Sequence, residues 1–113
     1  RLISAARQHL VLCEKIAAEL SGKQIRTDID DRDESVGKKI RDSETEWIHY
    51  TLVIGDKEMQ TEKKFVVRDR NAGKRLEITL QELVDKINVQ TKDKPYLPLN
   101  LPRHLSQRPQ IMV

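Results

Sequence analysis

The apolar residues of this chain change period repeatedly, from three-or-four to two and back, and that alternation confines it to a layered α/β architecture. In residues 4–21, Leu10, Cys13, Ile16, Ala17 and Leu20 recur at helical spacing, and Ser21-Gly22 supplies a stop. Residues 24–30 then set Ile25, Thr27 and Ile29 against Arg26, Asp28 and Asp30, a strand with one wet face. Residues 1–3 read as the stub of an earlier strand. Asp33 or Ser35 can cap a second helix, which carries Val36, Ile40 and Trp47 toward the core. Tyr50 to Ile54 is a β-branched run suited to a buried central strand, and Gly55-Asp56 breaks it. Residues 65–70 and 76–78 read as two more strands, joined through Asn71-Ala72-Gly73, where Gly73 can take a positive φ. Thr79 and Glu82 have the spacing of a capping box before a last helix with the face Leu80, Leu83, Val84 and Ile87.

This order predicts a three-layer α/β/α fold around a mixed, mostly parallel five-stranded sheet with one antiparallel strand. Residues 1–93 form the domain. Residues 94–113 form a tail in which Pro95, Pro98, Pro102 and Pro109 exclude a long helix or a central strand. The tail has two readings: packing back through Tyr96, Leu97, Leu99 and Leu101, or reaching a ligand through Arg103 and Arg108.

With 37% apolar and 35% charged residues, no stretch approaches the roughly 18 to 20 apolar residues of a bilayer span. The single cysteine, Cys13, excludes an internal disulfide and points to a reducing, cytoplasmic compartment. The net charge of +3 leans toward acidic partners. Aromatic residues, at 4%, are too few for a base-stacking sheet. The start at Arg1-Leu2-Ile3, without methionine, suggests a piece of a longer protein.

Three motif readings fail on the residues themselves. Gly37-Lys38-Lys39 is no phosphate loop, because Arg32 stands where a glycine is needed and Lys39 where a hydroxyl is needed. The acidic run from Asp28 to Glu34 puts Asp33 at the glycine position of a calcium loop. His9, His49, His104 and Cys13 have no zinc-ligand spacing. No catalytic group and no metal site is predicted on this chain.

A family resemblance rests on Asp30-Asp31-Arg32-Asp33-Glu34-Ser35-Val36-Gly37-Lys38-Lys39-Ile40-Arg41, on Glu44-Thr45-Glu46-Trp47, and on Gly55-Asp56-Lys57-Glu58 after a strand. Together they resemble the C-terminal anticodon-binding domain of class II aminoacyl-tRNA synthetases, and fit the threonyl enzyme of archaeal type best. The tail, with Pro95-Tyr96-Leu97-Pro98 and Gln107-Arg108-Pro109, fits the same type.

The resemblance implies that the chain recognises the anticodon loop of tRNA-Thr. The missing part would carry the catalytic domain, with ATP, threonine and zinc, and would make the parent a homodimer. A non-catalytic paralogue, such as a polymerase accessory or regulatory RNA-binding subunit, is the competing reading. A doubly wound nucleotide-binding domain lacks its glycine-rich turn here.

Carried over residue by residue, the resemblance implies that Glu58 accepts from the N1–H and N2–H donors of the middle guanine. Arg68 would grip its other edge, with Arg70 as competitor because the spacing is one residue longer than the family pattern. The alternative is an exposed pair on a sheet surface. Asp33 stands where the family has asparagine. It can accept from a base but not donate, or serve only as a helix cap. Arg32 beside it, and Lys38, Lys39, Lys57 and Arg70, are candidates for RNA backbone contacts, or else wet faces. Lys63, Lys64, Lys74 and Arg75 thicken the positive charge around the late strands, diluted by Glu62 and Asp69.

Overall fold

The computed structural model describes residues 1–61, 64–91 and 101–108. The elements are β1 (Leu2–Ser4), α1 (Leu10–Gly22), β2 (Ile29–Asp30), α2 (Val36–Thr45), β3 (Tyr50–Ile54), α3 (Asp56–Thr61), β4 (Lys64–Asp69), β5 (Lys74–Thr79) and α4 (Leu80–Thr91). Short 3-10 turns lie at Arg7–His9 and Leu105–Gln107. The five strands form one sheet in the order β2-β1-β3-β4-β5. β2, β1 and β3 are parallel, and β4 runs antiparallel to both its neighbours. The expected mixed sheet with one reversed strand is therefore present.

The two faces of the sheet are covered differently. Leu2, Ile29, Tyr50, Leu52, Ile54, Phe65 and Val67 join Leu12, Cys13, Ile16, Ala17 and Leu20 of α1 and Leu83 and Val84 of α4 in one core. Thr51 alternates with Tyr50 and Leu52, so it points to the other face, where its hydroxyl meets Ser43 of α2 at 3.3 Å. Ile3, fully buried, lies on this second face too. The helices thus sandwich the sheet, α1 and α4 on one side and α2 on the other.

Local signals worked where a side chain has a backbone partner to meet. Glu82 N–H donates to Thr79 Oγ1 at 3.2 Å, and Thr79 N–H to Glu82 Oε1 at 3.3 Å, closing the capping box. Gly73 takes φ +63° in the β4–β5 turn. Ser35, not Asp33, caps α2, accepting from Lys38 N–H at 3.2 Å. The strand expected over 24–30 keeps its alternation, with Ile25, Thr27 and Ile29 buried, but only Ile29–Asp30 enters the ladder. Gln24 has φ +62°, which turns the chain out of α1. The short α3 went unread, since six residues carry too little periodicity to register.

Trp47 is a correction. It is not a core anchor but 75% exposed, with φ +61°. Ile48 N–H bonds Ser43 C=O at 3.0 Å and Trp47 N–H bonds Glu44 C=O at 3.2 Å, the pairing of a Schellman motif. Trp47 thus occupies the left-handed position that glycine usually takes, and its ring lies under the Arg70 guanidinium at 3.8 Å.

The described part of the tail packs back onto the domain. Ile29 N–H bonds Arg103 C=O at 2.9 Å, covering the outer edge of β2. The contacts are polar more than apolar: Arg103 reaches Ser21 Oγ at 2.9 Å, Arg108 pairs with Asp28 at 3.2 Å, and Leu101 is 50% exposed. Tyr96, Leu97 and Leu99 lie outside the described residues.

Truncating a core tryptophan costs about 3–5 kcal/mol. Trp47→Gly is expected to change unfolding stability by less than about 1 kcal/mol, because relief at the left-handed position offsets the lost cation–π contact and the added chain entropy. Urea unfolding of both proteins checks this, and a loss of core size would contradict the exposed placement.

Candidate nucleic-acid interface

Parallel strands leave their connecting loops on one edge of a sheet, and here three loops gather at the carboxyl ends of β1, β2 and β3. They are residues 5–9, residues 31–35, and Gly55 leading into the first turn of α3. Ala5 N–H bonds Ile54 C=O at 3.0 Å, so the first and third loops lie side by side.

Glu58 stands in the first turn of α3, half-buried. Its Oε2 accepts from Gly55 N–H at 2.9 Å, satisfying a donor at the helix start. A Cβ at Gly55 would stand 3.5 Å from that oxygen, an ordinary van der Waals distance. One N–H occupies one lone pair. The carboxylate retains acceptor capacity at its second oxygen.

Arg68 lies opposite Thr51 and Arg75 in the β3–β4–β5 ladders, on the face that α2 leaves uncovered beyond β3. It has no hydrogen-bond or ion-pair partner among the described residues. It lines a cleft of about 510 Å³ with Ser43, Thr51, Arg70, Lys74 and Arg75. Thr51 is three residues before Ile54, so the Arg68 backbone sits about 10 Å along the sheet from the end of β3, where α3 begins. No hydrogen bond or ion pair joins Glu58 to Arg68 among the described residues. Arg70 is farther still and is engaged, its Nε donating to Glu44 C=O at 3.2 Å while it covers Trp47.

The basic candidates divide by burial. Lys39 is a correction: it is 3% exposed, and its Nζ donates to Ser4 C=O at 3.1 Å beneath α2. Its ammonium is therefore spent on tying α2 to β1 and is closed to phosphate. Lys38 and Lys57 are at the surface, Lys38 near Glu34 at 3.6 Å and Asp42 at 3.8 Å. Asp33 is exposed and makes no cap.

Arg32 is also a correction. Its guanidinium grips Asp30 with two hydrogen bonds of 2.8 Å and Asp42 with one of 2.9 Å, clamping β2 to α2. Asp30 is fully buried. Burial alone would push its carboxyl up, but the Arg32 hydrogen bonds and charge outweigh it and hold the group below its ordinary value. The acidic run dissolves into separate pairs in the same way: Asp28 with Arg1 and Arg108, Asp31 with Ser106, Glu34 with Lys38. Among the described residues no group of three or more histidine, cysteine or acidic side chains could hold a metal.

Two features escaped sequence reading. One is the Trp47–Arg70 stack, hidden because no glycine marked the end of α2. The other is His9, buried at 4% exposure, whose Nε2 meets Asp56 Oδ1 at 2.7 Å. The two residues are 47 positions apart, so no local pattern links them.

Comparison with known proteins places this geometry. The family model described as anticodon binding domain matches residues 2–90. The chain belongs to that family. It is 43% identical over 113 residues to a threonine–tRNA ligase of Nitrosopumilus maritimus, covering 100% of this chain and 18% of the relative. It is 47% identical over 109 residues to that of Pyrobaculum aerophilum, covering 96% and 18%. The chain thus spans under a fifth of the length of these relatives. Two solved structures share the fold. The RNA binding domain of threonyl-tRNA synthetase from Cryptosporidium parvum has a TM-score of 0.67 at 22% identity, covering 86% of this chain and 23% of that one. Histidyl-tRNA synthetase from Nostoc has a TM-score of 0.68 at 17% identity, covering 79% and 21%. The resemblance seen in the motif strings is therefore a true membership.

Arg32→Ala would strand the buried Asp30 carboxylate and is expected to cost about 3–5 kcal/mol of unfolding stability, whereas loss of a surface RNA contact would cost almost none. Because the folded carboxyl titrates lower than the unfolded one, whose ordinary value is 3.8, the pair stabilises the fold above that pH. The contribution is lost as pH falls through the folded value. Thermal unfolding from neutral pH into acid should show a shallower acid decline in Asp30→Asn than in wild type.

Proposed function

We propose that this domain reads the anticodon of tRNA-Thr for a threonine–tRNA ligase. The match to threonine–tRNA ligases over 96% to 100% of this chain carries the reading. The acidic Glu58, with acceptor capacity to spare, and Arg68, without a polar partner among the described residues in a cleft it shares with Arg70, Lys74 and Arg75, support it. An unstacked guanine entering beside α3 presents two donors to Glu58, and the Arg68 side chain extends along the sheet to its acceptor edge. Asp33 faces the loop from the β2–α2 connection and can accept from a base. Lys38, Lys57, Lys74 and Arg75 hold backbone phosphates.

The parent protein threonylates tRNA-Thr with ATP on a catalytic domain outside this chain, where zinc would also reside, works as a homodimer through that domain, and is cytoplasmic. Residues 1–93 make the recognition unit and 94–113 a tail, whose described residues 103–108 buttress β2. Among the described residues no helix is long and apolar enough to cross a membrane.

In the full-length parent, Glu58→Ala is expected to erode discrimination between anticodon stem-loops with guanine and adenine at the middle base by about 1–3 kcal/mol. Undiminished rejection of adenine would sink the assignment. Lys57→Ala should instead weaken both stem-loops alike and reduce the slope of log affinity against log salt by about one. A threonylation assay of the parent separates a ligase from a non-catalytic paralogue.

A further inference from the structure

We infer that His9 is a positioning residue for anticodon readout: it latches Asp56 at the start of α3 and thereby sets where Glu58 points. The inference rests on the reading of Glu58 proposed above.

A helix of six residues is too short to hold itself in water. The position of α3 must come from outside contacts. Its own start is closed by Glu58 on Gly55 N–H, and Met59 N–H bonds Gly55 C=O at 3.1 Å. Neither bond ties the turn to the rest of the domain. Beyond the packing of α3 on β3 and β4, side-chain ties to its first residue come from the β1–α1 loop. His9 Nε2 lies 2.7 Å from Asp56 Oδ1, and Gln8 Nε2 donates to the same oxygen at 3.0 Å. The carboxylate of Asp56 is itself mostly exposed, so the buried member of the pair is the imidazole.

The imidazole can donate in only one way. Ala6 N–H lies 3.0 Å from His9 Nδ1, and a backbone N–H can only donate, so Nδ1 carries the lone pair. The proton of the neutral ring is then on Nε2, aimed at Asp56. One backbone amide thus selects the tautomer, the tautomer selects the donor, and the donor holds the first turn of α3. The hydrogen bonds from His9 and then Gln8 keep the Asp56 carboxyl below its ordinary value, in keeping with an anionic acceptor. Glu58 is two residues beyond Asp56 in the same turn, with one oxygen already held by Gly55. A shift of that turn moves the remaining oxygen directly.

The test uses the full-length parent with His9→Ala and, separately, Asp56→Ala, each alone and combined with Glu58→Ala. Asp56 is a surface side chain, so its truncation probes the latch even where His9→Ala destabilises the fold. Binding of middle-guanine and middle-adenine stem-loops is measured, together with hydrogen exchange of the Gly55 amide without RNA. The expected result is a roughly fivefold to tenfold loss of guanine preference in either single variant, an unchanged salt slope, and faster Gly55 exchange. In the Glu58→Ala background neither substitution should reduce the preference further. Full preference in folded Asp56→Ala, an equal loss for both stem-loops, or unchanged Gly55 exchange would overturn the latch. If Glu58→Ala itself leaves the preference intact, the anticodon assignment fails, and the Gly55 exchange rate still decides the latch independently.

Discussion

The parallel pairing of β1 with β3, Leu2 against Leu52 and Ser4 against Ile54, is the constraint on which the rest of this domain depends. Parallel neighbours need crossovers, and a crossover must bring the chain back along a face of the sheet. α1 and α2 do this on opposite faces. The consequence is that the loops after β1, β2 and β3 all emerge at one edge. A register slip of one residue would exchange the core face of β3 for its α2 face and bury Thr51 where Leu52 belongs. The candidate site inherits its geometry from that register.

Charge in this chain is largely internal bookkeeping. More than a third of the residues are charged, yet many of those around the site serve the fold. Arg32 joins β2 to α2, Lys39 joins α2 to β1, and Arg108 returns the tail to Asp28. Buried ions demand partners, because a lone charge out of water costs several kcal/mol. Fewer of the described charges near the candidate site are tied into the fold: Glu58 keeps a spare oxygen, Arg68 and Arg75 share the open face of β4 and β5, and Lys74 lies at the rim of the same cleft.

Much of the fold was legible in the sequence because it follows from local rules. The capping box of Thr79 and Glu82, the positive φ at Gly73, the core face of α1 and the central strand Tyr50–Ile54 each rest on residues within a few positions of one another. The misreadings have a common cause. Trp47 was assigned by its apolar size, Lys39 and Arg32 by their charge, and Asp33 by its capping chemistry. Each of those properties is real, but which neighbour satisfies it depends on packing. Ser35 took the cap, Asp30 took Arg32, and the end of α2 turned Trp47 outward.

The sequence by itself determined the alternation of strands and helices, the family, and the identity of Glu58 as the acidic candidate, because periodicity and motif strings are properties of neighbouring residues. Only the tertiary structure decided which charges are engaged within the fold, that Arg68 sits beside Thr51 while Glu58 sits past the end of β3, and that His9 meets Asp56 across 47 positions. Such pairings are set by sheet register and helix placement, and a linear chain carries no local trace of them.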